Sequence, residues 1–225
     1  MVVKSLTRQR RNEIINILRE KGVVHVSDLS RMFNVSVVTI RSDLKNLEEA
    51  GILQREHGGA IRNIGTNLDV TFEARLVIHR EEKRRIAAAA IKLIKPGDTI
   101  AIDAGTTTME VARHLPGDLI INIITNAPNI AMEAAARQKV TVDLMGGILS
   151  PAHIAAVGSG TENSIKDYYT NKAFLAILAF DLNRGLTDTS PAVARVKRVF
   201  LENTEQSIML ADSSKFGQIA AVFVA

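Results

Sequence analysis

The stretch IDAGTTTMEVARHL, residues 102–115, decides how the larger part of this chain is read. An apolar run, TIAID, ends in an aspartate. A glycine and three threonines follow, and then a segment with helical character. That is a strand-to-helix junction crowded with hydroxyls. Backbone N–H groups at residues 105–107, together with the threonine hydroxyls, suit an anion such as a phosphate. The plainer alternative is that the threonines only cap the helix.

Working outward, the junction sits in an alternation of apolar and helical segments. TIAID, LIINIIT, VTVDLM, KAFLAILAF and QSIMLAD read as strands. TTMEVARHL, APNIAMEAAARQ, AAVGSGTENSIKDYY and SPAVARVKRVFLEN read as helices, and HREEKRRIAAAAIKLI precedes them as a long helix ending at Pro96-Gly97. Such alternation implies a mostly parallel sheet covered on both faces. Ligands of these sheets sit beyond the carboxyl ends of the strands. Asp103, Asn126, Gly146 and Asp212 all fall at such ends and are expected to converge on one crevice. Lys215 follows the last of these strands, and Lys197 is the lone lysine of its helix, beside Arg195 and Arg198. Each lysine is either an anion partner or an ordinary surface charge.

The first 62 residues read differently. Thr7 is placed to cap a helix carrying Ile14, Ile15 and Leu18. A short extended VVHV leads to a second helix opened by Ser27, with Leu29, Met32 and Phe33 inward. After the turn NVS, Ser36 caps a third helix whose Val37, Ile40, Leu44 and Leu47 share a face. GILQREHGGAI then reads as a hairpin. Three short helices and a hairpin make a winged helix-turn-helix. Its outward candidates for base edges are Val38, Thr39, Arg41 and Ser42, with Ser36 and Lys45 as backbone contacts. Arg55 and His57 sit on the wing, and Arg8, Arg10 and Arg11 open the first helix. The alternative is a set of solvated charges on a small helical domain used for protein contact.

The charge balance agrees with a nucleic-acid-binding head. Residues 1–62 hold 11 Lys/Arg against 7 Asp/Glu, whereas residues 63–225 hold 17 of each. The formal excess of +4 therefore lies entirely in the first quarter. With no cysteine, thiol catalysis, thiolate metal ligands and disulfides are excluded. The five histidines lack metal-ligand spacing, and none pairs with a nucleophile. No catalytic residue, metal or cofactor is expected. The start turns polar too soon for a secretory signal and no apolar run is long enough to span a bilayer, so a cytoplasmic location without membrane contact is expected. The division expected is 1–62 for the winged helix-turn-helix, 63–78 for a linker and 79–225 for an α/β effector-sensing and oligomerisation domain.

In order and spacing, RRNEIINILREKG, VSDLSRMFNVSVVTIRSDLKNLEEAGILQREHGGA, IDAGTTT, ITNAPNIA, MGGIL, NKAFLAI, GLTD, VKR and LADSSKFG resemble the DeoR-type bacterial transcriptional regulators. The resemblance implies a winged helix that binds double-stranded operator DNA. It also implies a C-terminal domain similar to ribose-5-phosphate isomerase and the coenzyme A transferases, which senses phosphorylated sugars. Most members are repressors relieved by such effectors, and a dimer or tetramer would present paired heads. The effector contacts implied are Asp103, Gly105, Thr106, Thr107, Thr108, Asn126, Gly146, Gly147, Lys197 and Lys215. The sequence also departs from the pattern. Val193 stands where an acidic residue is usual, Ala176, Leu178 and Ala179 replace glycine, aspartate and glycine, and Ser150 stands where an arginine is frequent. The chain stops at Ala225 within a strand-like AAVFVA, so the sensor reads as shortened. A constitutive regulator with a degenerate sensor is therefore one alternative. An isomerase-like enzyme with Asp103 as its base is another.

Overall fold

The computed structural model describes residues 2–50, 52–62 and 72–225; the remaining residues, and the side chains of 2–6, 8, 19, 20 and 62, lie outside the described residues. The chain divides into two compact units, Met1–Ile78 and His79–Ala225.

In the first unit, helix α1 (Val2–Lys21) is followed by strand β1 (Val23–His25), helices α2 (Val26–Phe33) and α3 (Val37–Glu49), and a hairpin of β2 (Leu53–Glu56) and β3 (Gly59–Arg62). Helix α1 starts before Thr7 rather than at it, because no glycine or proline interrupts the preceding residues. Helix α2 starts at Val26, whose N–H is satisfied by the Gly58 carbonyl at 2.8 Å, so Ser27 is not needed as a cap. The extended link is a true strand: β1 pairs antiparallel with β3, giving the order β1-β3-β2. Ile14, Ile15, Leu18, Leu29, Ile40, Leu44 and Leu47 close one core with Val24, Leu53 and Ala60. Met32 and Val37, expected inward, are 57% and 39% exposed. They flank the stripes set by Leu29 and Phe33 on α2 and by Ile40, Leu44 and Leu47 on α3. In the segment read as linker, Phe72–Val77 is a further helix, α4; residues 63–71 lie outside the described residues.

The second unit opens with α5 (Arg80–Ile91) and β4 (Thr99–Ile102). Next come α6 (Thr106–His114), β5 (Ile121–Thr125), α7 (Pro128–Ala135) and β6 (Val140–Leu144). A hairpin of β7 (Ile148–Ser150) and β8 (Ala155–Val157) leads to α8 (Ser159–Lys166) and β9 (Thr170–Ala176). After β10 (Ala179–Asp181) and β11 (Gly185–Asp188) come α9 (Pro191–Glu202), β12 (Thr204–Leu210) and β13 (Val222–Phe223). Five strands form one parallel sheet in the order β12-β9-β4-β5-β6. The chain thus proceeds one way from β4 to β6 and the other way from β9 to β12. The reversal lies between β4 and β9. Ala101, Ala173 and Leu175 pack with Val193, Val196 and Phe200 of α9, while α6 lies against β9 and α7 against β5 and β6.

Three segments depart from the periodicity reading. KAFLAILAF is not one strand: it leaves the sheet after Ala176, and β10 pairs antiparallel with β11. AAVGSGTENSIKDYY begins as β8 and becomes helical only from Ser159. MGGIL is the start of the β7–β8 hairpin, so its glycines serve a turn into antiparallel pairing.

Candidate nucleic-acid interface and effector crevice

The third helix of the first unit is built to display its N-terminal face. Ser36 caps it, its Oγ accepting the Thr39 N–H at 3.1 Å and pairing with Thr39 Oγ1 at 2.9 Å. Both hydroxyls are therefore used locally. Val38 is 73% exposed, and Arg41 and Ser42 are exposed beside it with no side-chain partner among the described residues. Lys45 lies 3.7 Å from Glu49 on the same exposed face. A recess of about 340 Å³ is bordered by Arg41 and Leu44 on this helix and by Arg55, His57 and Gly58 on the wing.

Three of the candidate arginines have intramolecular partners that the sequence did not reveal. Arg11 Nε donates to Asp43 Oδ1 at 2.7 Å, and Arg10 Nε donates to Asp43 Oδ2 at 2.6 Å. Asp43 is buried on α3, so both arginines bind the first helix to the recognition helix. On the wing, the Arg55 N–H and Nε both donate to the Glu48 carboxylate, at 2.8 and 2.6 Å. These contacts hold the Glu48 carboxyl below its usual range, with burial opposing weakly. The Arg8 side chain lies outside the described residues.

In the second unit, Asp103, Lys197 and the Gly105–Thr108 turn stand where the sheet order reverses. Asp103 follows β4, is 1% exposed, and its N–H donates to the Phe174 carbonyl on β9 at 3.0 Å. Lys197, on α9, donates to Asp103 Oδ2 and to the Ala176 carbonyl, the latter at 2.8 Å. Burial pushes the Asp103 carboxyl up, Lys197 opposes this, and the nearby charge of Asp188 adds to it; the net direction is upward. Asp188, buried at the end of β11, accepts the N–H groups of Thr189 and Ser190 at 2.8 and 3.3 Å.

Helix α6 starts beside this pair. Gly105 is its N-cap and Thr106, Thr107 and Thr108 form its first turn. The Thr108 hydroxyl donates to the Gly105 carbonyl at 3.0 Å, as a local cap. Thr106 and Thr107 are each 8% exposed, and their hydroxyls have no partner among the described residues. The first-turn N–H groups lack intrahelical acceptors, as at any helix start. A Cβ on Gly105 would stand 2.2 Å from the Ala176 Cβ, so the loop passes β9 closely enough to require glycine.

Asn126, past β5, is buried. Its Nδ2 donates to the Ala156 carbonyl at 3.0 Å, which fixes the amide and leaves Oδ1 as a buried acceptor without a partner. The β7–β8 hairpin is further tied down by Thr161 Oγ1, which donates to the Gly146 carbonyl at 2.7 Å. Gly147 has φ +149°, and a Cβ there would meet Thr161 Oγ1 at 2.0 Å. Lys215 ends a short 3-10 helix (Ser213–Lys215) and stands with Asp212, which caps that helix through the Ser214 N–H at 2.9 Å. Burial presses the Asp212 carboxyl up, but Ser214, His79 and Lys215 outweigh it and the net shift is downward.

Asp103, Lys197 and Ala176 are thus joined directly, with Gly105–Thr108 adjoining them; Asn126 and Gly146 are tied to the hairpin and Lys215 to Asp212. Asp188 and the Ala176 carbonyl were missed. The only signal for Asp188 was its place at the end of GLTD, and a backbone carbonyl leaves none. Val193, where an acidic residue is usual in the family, packs in the core with Val196 and Val199. Among the described residues no group of three His, Asp or Glu could hold a metal, and no helix is long and apolar enough to cross a membrane.

Comparison with known proteins assigns the two units. Residues 10–65 match the DeoR-like helix-turn-helix domain, and residues 78–225 match the DeoR C terminal sensor domain. The uncharacterized HTH-type transcriptional regulator YulB of Bacillus subtilis is 36% identical over 212 residues, covering 94% of this chain and 82% of YulB. The glycerol-3-phosphate regulon repressor of Escherichia coli K12 is 32% identical over 214 residues, covering 95% and 84%. Among solved structures, ribose 5-phosphate isomerase A of Methanocaldococcus jannaschii matches 61% of this chain and 55% of its own, at 18% identity and a TM-score of 0.46. The chain belongs to the DeoR family of DNA-binding transcriptional regulators, with a helix-turn-helix domain followed by a parallel-sheet α/β sensor domain.

Proposed function

We propose that the protein is a cytoplasmic repressor of a carbohydrate or related metabolic operon, released from its operator by a phosphorylated sugar. The reading rests on one observation above all. On the first turn of α6, which starts three residues after Asp103, the partner of the buried Lys197, stand two nearly buried threonines whose hydroxyls have no partner among the described residues. A phosphate there takes N–H and hydroxyl donors that nothing else uses. The unpartnered Oδ1 of Asn126 accepts from a sugar hydroxyl. Asp103, Gly146, Gly147 and Lys215 complete the candidate contacts. A relative's name, glycerol-3-phosphate regulon repressor, is consistent with a phosphorylated effector.

At the operator, Arg41, Val38 and Ser42 face base edges, while Lys45 and His57 contact the backbone. Arg11 and Arg55 act by holding helix and wing in place. A homodimer or tetramer pairs two heads on a palindromic or repeated site. Effector binding changes operator affinity by favouring one arrangement of the assembly over the other.

A thermal-shift screen against sugar and polyol phosphates tests the sensor. A ligand that binds the native state alone raises the transition temperature by mass action, and Thr107→Ala should abolish the rise. A flat panel with DNA binding intact would make the protein a constitutive regulator.

A further inference from the structure

One buried cation joins the two strands at the reversal point of the sheet. Lys197 Nζ donates to Asp103, just past β4, and to the Ala176 carbonyl at the end of β9. It therefore bridges the two strands between which the sheet order reverses. Both side chains are buried, at 7% exposure for Lys197 and 1% for Asp103. Around the Asp103 carboxylate stand Lys197 from α9, Asp188 from the end of β11 and the N–H of Ala104. Lys197 is thus the cation that favours the ionised form of Asp103, while its burial and the like charge of Asp188 disfavour that form and set the net upward direction.

Only two residues separate Asp103 from Thr106, which begins α6. A doubly charged anion on that first turn adds negative charge beside two buried carboxylates. It also offers Lys197 a stronger partner than Asp103 does. Three anionic groups cannot share one ammonium in a dry site without a large Coulombic cost. The least costly relief is a proton on the carboxylate that loses its partner.

We propose that anion binding in this crevice is an exchange, in which the ligand takes Lys197 from Asp103 and Asp103 takes one proton from solvent. Lys197 stays an ammonium and the ligand keeps its charge; the only covalent change is the new O–H bond on Asp103. The inference rests on the anion site proposed above. Its consequence is that the sensor responds to pH and anion together, binding more tightly as pH falls.

Sulfate is the probe, because it is doubly charged and takes up no proton of its own near neutrality. It is titrated calorimetrically into the full-length protein, in buffers of unequal ionisation enthalpy. The expected result is about one proton taken up per sulfate, with affinity rising as pH falls. Whatever sulfate Asp103→Asn binds should bring no proton uptake. His79 is the histidine whose charge acts on Asp212, so His79→Gln is the control and should keep the uptake. Sulfate binding with no proton uptake by the unaltered protein overturns the exchange while leaving the anion site standing; that result needs no variant to fold. Uptake that persists in Asp103→Asn and vanishes in His79→Gln overturns it equally. No sulfate binding at any pH removes the anion site, and the exchange with it.

Discussion

Replacing Lys197 with methionine keeps the length of the side chain and removes the ammonium. Asp103 then remains 1% exposed beside Asp188, without its cation. Two routes bound the loss of stability. Left ionised, a buried carboxylate stripped of its partner costs about 3–5 kcal/mol. Made neutral, it must hold a proton that an unfolded aspartate releases near pH 3.9, which at pH 7 costs about 4 kcal/mol at roughly 1.4 kcal/mol per unit. The two figures agree, so Lys197→Met should lose about 3–4 kcal/mol at pH 7. The sign with pH follows from proton counting. The folded variant holds a proton that the unfolded chain lacks above about pH 4, so its stability falls as pH rises. Lowering pH from 7 to 5 should shrink the deficit. Urea unfolding followed by tyrosine fluorescence measures this in the right unit: there is no tryptophan, and both tyrosines, Tyr168 and Tyr169, lie in the sensor. Adding Asp103→Asn should restore most of the loss. A cost below about 1 kcal/mol with no pH dependence would refute the buried pair.

The hairpin glycines and the recognition helix give two sharper contrasts. Gly147→Ala should destabilise the sensor by more than about 1 kcal/mol, since φ is +149° and the new Cβ would meet Thr161 Oγ1 at 2.0 Å; Gly146→Ala, with nothing within 4 Å, should stay within about 0.5 kcal/mol. Thermal melts of the two variants compare them directly. On DNA, Arg41→Ala should cost about 1–3 kcal/mol on the preferred operator and relax its specificity, whereas Lys45→Ala should weaken all sequences alike and reduce the salt slope by about 1. Fluorescence anisotropy across a salt series separates them.

Local pattern carried much of this architecture. The stripe of Ile40, Leu44 and Leu47 and the cap at Ser36 marked the recognition helix, and both are present. The alternation after Pro96 marked a parallel sheet, which is present, and Asp103 lies just past one of its strands. What escaped depends on distant pairing. Strand β1 exists because Val24 pairs with Ala60, which no local window contains. The break between β9 and β10 falls inside an apolar run with no glycine or proline to announce it. Arg11 reads in sequence as a free basic residue, and only folding brings it to Asp43, 32 residues on. The lysine of α9 was legible as a candidate, but its partners were not, since Asp103 lies 94 residues away.

The most direct test of the account is release of the operator by effector. Labelled DNA from upstream of the protein's own coding region is bound at fixed salt, and sugar and polyol phosphates are added while anisotropy is followed. The account predicts that at least one phosphorylated compound lowers operator affinity by about 5–150-fold. It also predicts that Thr107→Ala binds the operator normally and ignores that compound. Release of the unaltered protein and the variant at the same concentration would contradict the placement of the effector on the first turn of α6.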